Sequence, residues 1–383
     1  MSGGISGGIS GGISGGISGG ISGGISGGIS GGISGGISGG ISGGIAGGIG
    51  PMLASADALT LSRAAIVGPF DGPALQVVEP GFDKPANLKR WADGPRLEVI
   101  KSEVMEGLGY HVHDKLKEAV LVFHDGPTRP GKPLVTLLGP SPALLREQLQ
   151  LVGAYADLRP DRAVEIVEQT GYPLAFWGSL IGLTAHRHGK TVLLLEVTFA
   201  LAASVGQRFK HTFAIPRPVE LSPQVQPMIL TPGHGSWPSG HATEAFITAT
   251  VLQALLDAAM PKKKKQDANG DASREQMQRL AARIAINRTV AGLHYPVDSA
   301  VGRLLGTALG EYLVARATGG SLHARGFDAS LFVGPAGEPL DFSPHQSMDH
   351  ASGHAYTRSP KAVPVPEAPL LAWLWKEAVE EWQ

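Results

Sequence analysis

Cysteine is absent from the 383 residues. That excludes disulfides and thiolate metal sites. Charge imbalance is also missing: the net charge is −1, so no bulk field draws the chain to nucleic acid or to anionic lipid. Long apolar runs are scarce. Gly171–Ala185 and Val192–Gly206 each reach only about fifteen residues, Glu196 interrupts the second, and a bilayer span needs roughly twenty. No basic n-region with a continuous apolar h-region opens the chain, so no secretory signal is read. The expectation is a soluble, cytoplasmic protein with no membrane span and no nucleic-acid partner.

Charged side chains are missing altogether from the first fifty residues, which instead hold 25 of the 54 glycines. From Ser2 to Ile45 the unit Ser-Gly-Gly-Ile repeats eleven times, and Ala46-Gly-Gly-Ile49 is a decayed twelfth. One Ile in four cannot bury enough apolar surface to offset the entropy of ordering so much glycine. Residues 1–51 are therefore expected to be a disordered tail.

Four regions follow from composition and period. Residues 52–140 are rich in Pro and Gly and read as an irregular arm, with short strands conceivable at Leu97–Val104 and Ala119–Phe123. His111, His113 and His124 in this arm invite a metal reading, since alternate histidines in an extended stretch can share an ion, but no nearby third ligand stands at a typical spacing and no metal site is expected there. Residues 141–320 carry the helical pattern. Ser141-Pro142 is an N-cap followed by proline at the first helical position, and longer helices are expected over Thr191–Thr212, Gly240–Met260, Ser273–Ala291 and Pro296–Ala317. The run Lys262–Lys265 reads as a solvated loop. Residues 321–383 form a C-terminal extension ending in a short helix. Its Trp373, Trp375 and Trp382 offer a contact for docking onto the bundle or onto a second copy of the chain.

Three short stretches carry the chemistry. The first is Lys210 followed at a fixed offset by Arg217, which stands between two prolines that stiffen its backbone. The second is Trp237-Pro-Ser239-Gly240-His241. Here Gly240 allows close backbone approach, and the start of a helix attracts negative charge. The third is Asn287-Arg288, then His294, then Asp298. Asp298 lies one helical turn beyond His294, so both can share a face. Together these residues suit a small oxyanion, because burying one requires cations and aimed donors.

Over residues 205–310 this three-part pattern resembles the type 2 phosphatidic acid phosphatase and vanadium haloperoxidase superfamily, and looks like a soluble bacterial-type member. The usual third part begins Ser-Arg. Here Asn287 takes the first place, which leaves a hydrogen-bonding side chain with slightly altered anion contacts. The resemblance implies an all-α helical bundle. It also implies Lys210, Arg217, Ser239, Gly240 and Arg288 as the oxyanion-binding set, with His241, His294 and Asp298 as the catalytic residues.

Two activities use such a cage. In one, vanadate bound at His294 is the metal cofactor, and hydrogen peroxide oxidises a halide such as bromide. In the other, a phosphate monoester is hydrolysed through a phosphohistidine at His294, without a cofactor. The stretch His234 to Thr243 resembles the bromoperoxidase type, which places His234 and Trp237 in a halide or substrate pocket. The chain length suits the same reading. A vanadium-dependent haloperoxidase is therefore the leading expectation, and a soluble acid phosphatase the alternative.

Overall fold

The computed structural model describes residues 56–67, 72, 81–126, 129–260 and 268–383. The Ser-Gly-Gly-Ile tail and the Lys262–Lys265 loop lie outside the described residues. The chain divides into two compact units, residues 1–99 and residues 100–383. In the first, α1 spans Ala56–Ile66, a 3-10 turn spans Pro85–Arg90, and α2 (Asp93–Glu106) begins. Leu97–Val104 thus forms helix rather than strand. Ile100 and Val104, four residues apart, are both buried, a helical spacing.

The second unit is predominantly helical but not all-α, which corrects the fold class expected from sequence. A five-stranded mixed sheet runs in the order β1 (Leu108–His113), β2 (Glu118–Phe123), β3 (Lys132–Leu138), β4 (Ser321–Asp328), β5 (Tyr356–Pro364). Adjacent strands pair antiparallel except β3 with β4, which run parallel from Val135↔Arg325 to Leu138↔Asp328. The supposedly irregular arm supplies three strands and the C-terminal extension two. Apolar alternation is weak in β4, and β5 contains prolines. An edge strand tolerates such prolines because one side of its backbone makes no ladder bonds.

The helices are α3 (Pro142–Tyr155), α4 (Arg159–Glu168), α5 (Leu174–Ile181), α6 (Gly189–Phe213), α7 (Pro218–Leu221), α8 (Gly240–Ala259), α9 (Ala268–Val290), α10 (Pro296–Thr318) and α11 (Pro369–Glu380). At the start of α3, Ser141 Oγ accepts from the Leu144 N–H at 3.2 Å. Ser239 caps α8, its Oγ accepting from the Ala242 N–H at 3.4 Å. Tyr295 and Asp298 form a capping box on α10, with Asp298 Oδ2 accepting from the Tyr295 N–H at 3.1 Å. Gly319, at φ 66°, ends α10 in the left-handed conformation that glycine adopts without penalty.

The central layer is α10, buried along most of its length and packed against α8. The approach is close because glycines face α8. A Cβ on Gly302 would stand 2.9 Å from the Ser239 carbonyl oxygen, and one on Gly306 would stand 2.9 Å from the Ile247 nitrogen. This contact places the N-terminus of α8 beside that of α10, and the Ser239 N–H donates to the Asp298 carbonyl at 3.0 Å.

Helix α6 crosses behind them with Leu194, Leu195, Val197, Leu201, Val205 and Phe209 in the core. The segment Gly189–Leu221 is long and apolar enough to cross a membrane by length and composition, and 56% of its apolar window is buried inside the protein. Its N-terminal N–H groups are capped from the far end of the chain. Glu381 accepts from the Lys190 and Thr191 N–H groups at 2.6 and 2.8 Å, and Trp382 Nε1 donates to Thr191 Oγ1 at 2.9 Å. At its other end, Ala214 adopts φ 48° and its N–H donates to the Lys210 carbonyl at 2.9 Å. That turn sends the chain back so that Arg217 re-enters the protein.

Candidate functional site

The ends of α6, α8, α9 and α10 converge on one buried polar cluster. Lys210 is buried, and its Nζ donates to the carbonyl oxygens of Gly235 and Ser236, at 3.0 Å each. Arg217 is 1% exposed although it leaves a short loop. Its Nη1 donates to the Leu293 carbonyl at 3.0 Å and lies 2.9 Å from His294 Nε2. Its Nη2 lies 3.1 Å from His234 Nδ1.

These contacts define the His294 tautomer. Nδ1 lies 2.8 Å from Asp298 Oδ2, an acceptor, so Nδ1 carries the proton. Nε2 faces a guanidinium N–H, a donor, so Nε2 presents its lone pair. Ser236 completes the arrangement. Its hydroxyl donates to Asp298 Oδ2, and its Oγ lies 3.3 Å from His294 Nδ1. Burial, reinforced by the charges of Arg217 and Lys210, holds His294 well below the usual imidazole range. Burial raises Asp298, while the Ser236 hydrogen bond and the charge of Lys210 oppose it. Lys210 is lowered by burial and by Arg217.

The second half of the cluster is organised by Gln169, at the C-terminal end of α4. Its backbone carbonyl lies 3.0 Å from His241 Nε2, so that nitrogen carries a proton and Nδ1 keeps its lone pair. Its side-chain oxygen accepts from Asn287 Nδ2 at 2.9 Å and from Arg288 Nη2 at 3.3 Å. Asn287 Oδ1 in turn accepts from Arg162 at 3.0 Å. Burial, with the charge of Arg288 second, pushes His241 down to about 3. Arg288 is fully buried, and burial brings it down to about 10. Its Nη2 also donates to the Ile166 carbonyl at 3.0 Å, whereas its Nε and Nη1 are buried without a hydrogen-bond partner.

Lys210, Arg217 and His234 line one cavity of about 540 Å³, together with Gln207, His211 and Glu220. Trp237 does not line it. The indole is fully buried, with its ring centroid 4.5 Å from that of Phe213. Ser239 serves as the α8 cap, and Gly240 begins that helix.

Sequence reasoning missed Ser236 and Gln169. Ser236 lies inside a stretch already singled out, and a hydroxyl five residues before His241 was available as a signal. Gln169 had none: a single polar residue ending a short helix is ordinary. Asn287 directs its amide at Gln169.

Residues 191–318 match the PAP2 superfamily. A vanadium-dependent bromoperoxidase of Ascophyllum nodosum is 29% identical over 131 residues, which cover 30% of this chain and 22% of that protein. The matched part thus spans about a fifth of the length of that relative. Together these similarities establish a distant link to the superfamily of PAP2 phosphatases and vanadium haloperoxidases.

One expectation is corrected. A resident vanadate at His294 is not supported, because among the described residues no group of three or more His, Cys, Asp or Glu side chains could hold a metal ion.

Proposed function

We propose that this site binds the phosphoryl group of a phosphate monoester and hydrolyses it. The observation that carries the reading is Arg288. A permanently charged group with two buried N–H donors unpartnered suits an oxyanion, since a charged donor left unsatisfied in the interior is costly. Lys210 and Arg217 add positive charge, and the N-terminus of α8 adds backbone N–H groups. The Nε2 lone pair of His294, backed by the Asp298 carboxylate, attacks phosphorus. The ester P–O bond breaks and its electron pair leaves with the alcohol oxygen, which takes up a proton. Water then attacks phosphorus, the N–P bond breaks, and the electron pair returns to Nε2. In this reading His241, whose Nε2 proton is held by the Gln169 carbonyl, uses Nδ1 to accept the proton of the attacking water.

The test is phosphate release from p-nitrophenyl phosphate and from an alkyl phosphate, with rapid quench to trap phosphohistidine. Expected are release from wild type and loss of both release and trapped phosphate in His294→Ala. Absence of release from every ester overturns the reading. So does bromide oxidation with peroxide and added orthovanadate in a protein that hydrolyses none.

A further inference from the structure

The cavity of about 540 Å³ carries charge of both signs. Lys210 and Arg217 line it, and so does Glu220, the one acidic side chain on its wall among the described residues. The carboxylate is held in place. Its Oε2 accepts from the Arg217 N–H at 2.5 Å, across the first turn of α7. Glu220 and the guanidinium thus stand at opposite ends of one arginine, whose far end reaches His294. Glu220 is also exposed, so a ligand arriving from solvent meets it.

A carboxylate in this place works against the capture of a bare dianion, because like charges in one cleft repel. It favours an anion that brings its own cation. The contact with the Arg217 N–H needs only an acceptor, so the cap does not account for the charge. The cavity is large enough for a short-chain alcohol together with water. Gln207 and His211, one turn apart on α6, face it from another wall.

We propose that the preferred substrate is the phosphate monoester of a short amino alcohol, with its ammonium set against Glu220. This rests on the phosphate-ester reading. The phosphoryl end goes to the cations of the cage, and the ammonium end to the one carboxylate beside them. Charge at both ends orients the ester, so its phosphorus is directed inward and its alcohol outward. Glu220 is then a specificity residue and takes no part in bond making or breaking. An alcohol that carries a carboxylate or a second phosphate is disfavoured by the same group.

The experiment measures kcat/KM at about pH 8, where the esters are dianions at phosphorus. The substrates are O-phosphoethanolamine, propyl phosphate, which has a methyl group in place of the ammonium, and ethylene glycol phosphate, which has a hydroxyl there. Wild type is compared with Glu220→Gln and with the double variant Glu220→Gln, Gln207→Glu. The amide keeps an acceptor for the Arg217 N–H. Comparing the ratio of two esters between proteins cancels the difference between their leaving groups. The ratio of O-phosphoethanolamine to propyl phosphate should be about fivefold higher in wild type than in Glu220→Gln, the upper end for an exposed ion pair. The difference should lie in KM and shrink in about 0.5 M salt. The double variant, which returns a carboxylate to the cavity from α6, should regain part of the preference. A purely structural Glu220 would slow all esters alike, so equal ratios in wild type and Glu220→Gln overturn the proposal. So does an equal effect of Glu220→Gln on ethylene glycol phosphate, since a hydroxyl brings no charge. Wild type that releases phosphate from none of the three esters sinks the phosphate-ester reading itself, and with it the role of Glu220.

Discussion

Gln169 holds His241 with its backbone carbonyl, at 3.0 Å from Nε2, while its side-chain oxygen accepts from Asn287 and Arg288. The two functions separate by mutation. Gln169→Ala keeps the carbonyl but leaves Arg288 and Asn287 short of a buried acceptor. Losing such a partner costs about 1–3 kcal/mol. The melting temperature without phosphate should fall accordingly, and added inorganic phosphate, by partnering Arg288, should recover part of the loss. The pH dependence attributable to His241 should stay in place.

Asp298 fixes the His294 tautomer, so Asp298→Asn should cut kcat by about 10³–10⁴-fold. Phosphate affinity should change far less, because the anion is held by other groups. Loss of affinity alone, with kcat retained, would contradict the assignment.

The Ser236 hydroxyl lowers the Asp298 pKa, against the burial that raises it. Ser236→Ala removes the lowering contribution and raises the pKa further. Asp298 must be ionised to hold the His294 Nδ1–H, so the acid limb of kcat should move to higher pH. A profile unchanged below neutrality would show that Asp298 does not control that limb.

Lys210 is lowered by burial and by Arg217. The sign is that of a base whose folded pKa lies below its unfolded one. Between the two, the unfolded chain binds more protons, so this residue makes stability rise with pH there and opposes folding below. Lys210→Met should raise the melting temperature near pH 6 without phosphate. Saturating phosphate should stabilise wild type, by about 2.7 kcal/mol at a hundred times Kd, and the variant much less. Thermal shift at two pH values and two phosphate concentrations measures both effects.

Gly306→Ala would push a methyl group against the α8 backbone. Overpacking of this kind costs about 1–3 kcal/mol. Because α8 carries His241 and α10 carries Asp298, both the melting temperature and kcat should fall, although Gly306 touches no reacting group.

The candidate cage was legible because its charged residues fall in three short stretches, each at a helix end with its own turn signal. Arg217 between prolines and Ser239 before Gly240 announce backbone geometry as well as chemistry. Gln169 was not legible, since a polar residue ending a helix gives no sign of which helix will pack against it. The sheet escaped for a related reason. The parallel pairing of β3 with β4 joins Val135 to Arg325, a contact that no local period encodes. The residues of β4, such as His323, Arg325 and Asp328, look like a solvated loop until a neighbouring strand is present. Trp237, an aromatic beside the motif, is buried on Phe213 and does not line the cavity that His234 lines.

Glu381 and Trp382 clamp one end of a 25-residue helix whose opposite end carries Lys210. At about 1.5 Å per residue that helix spans some tens of ångströms. Removing the Glu381 carboxylate would strip three acceptor contacts from the far end of the helix that carries the ammonium.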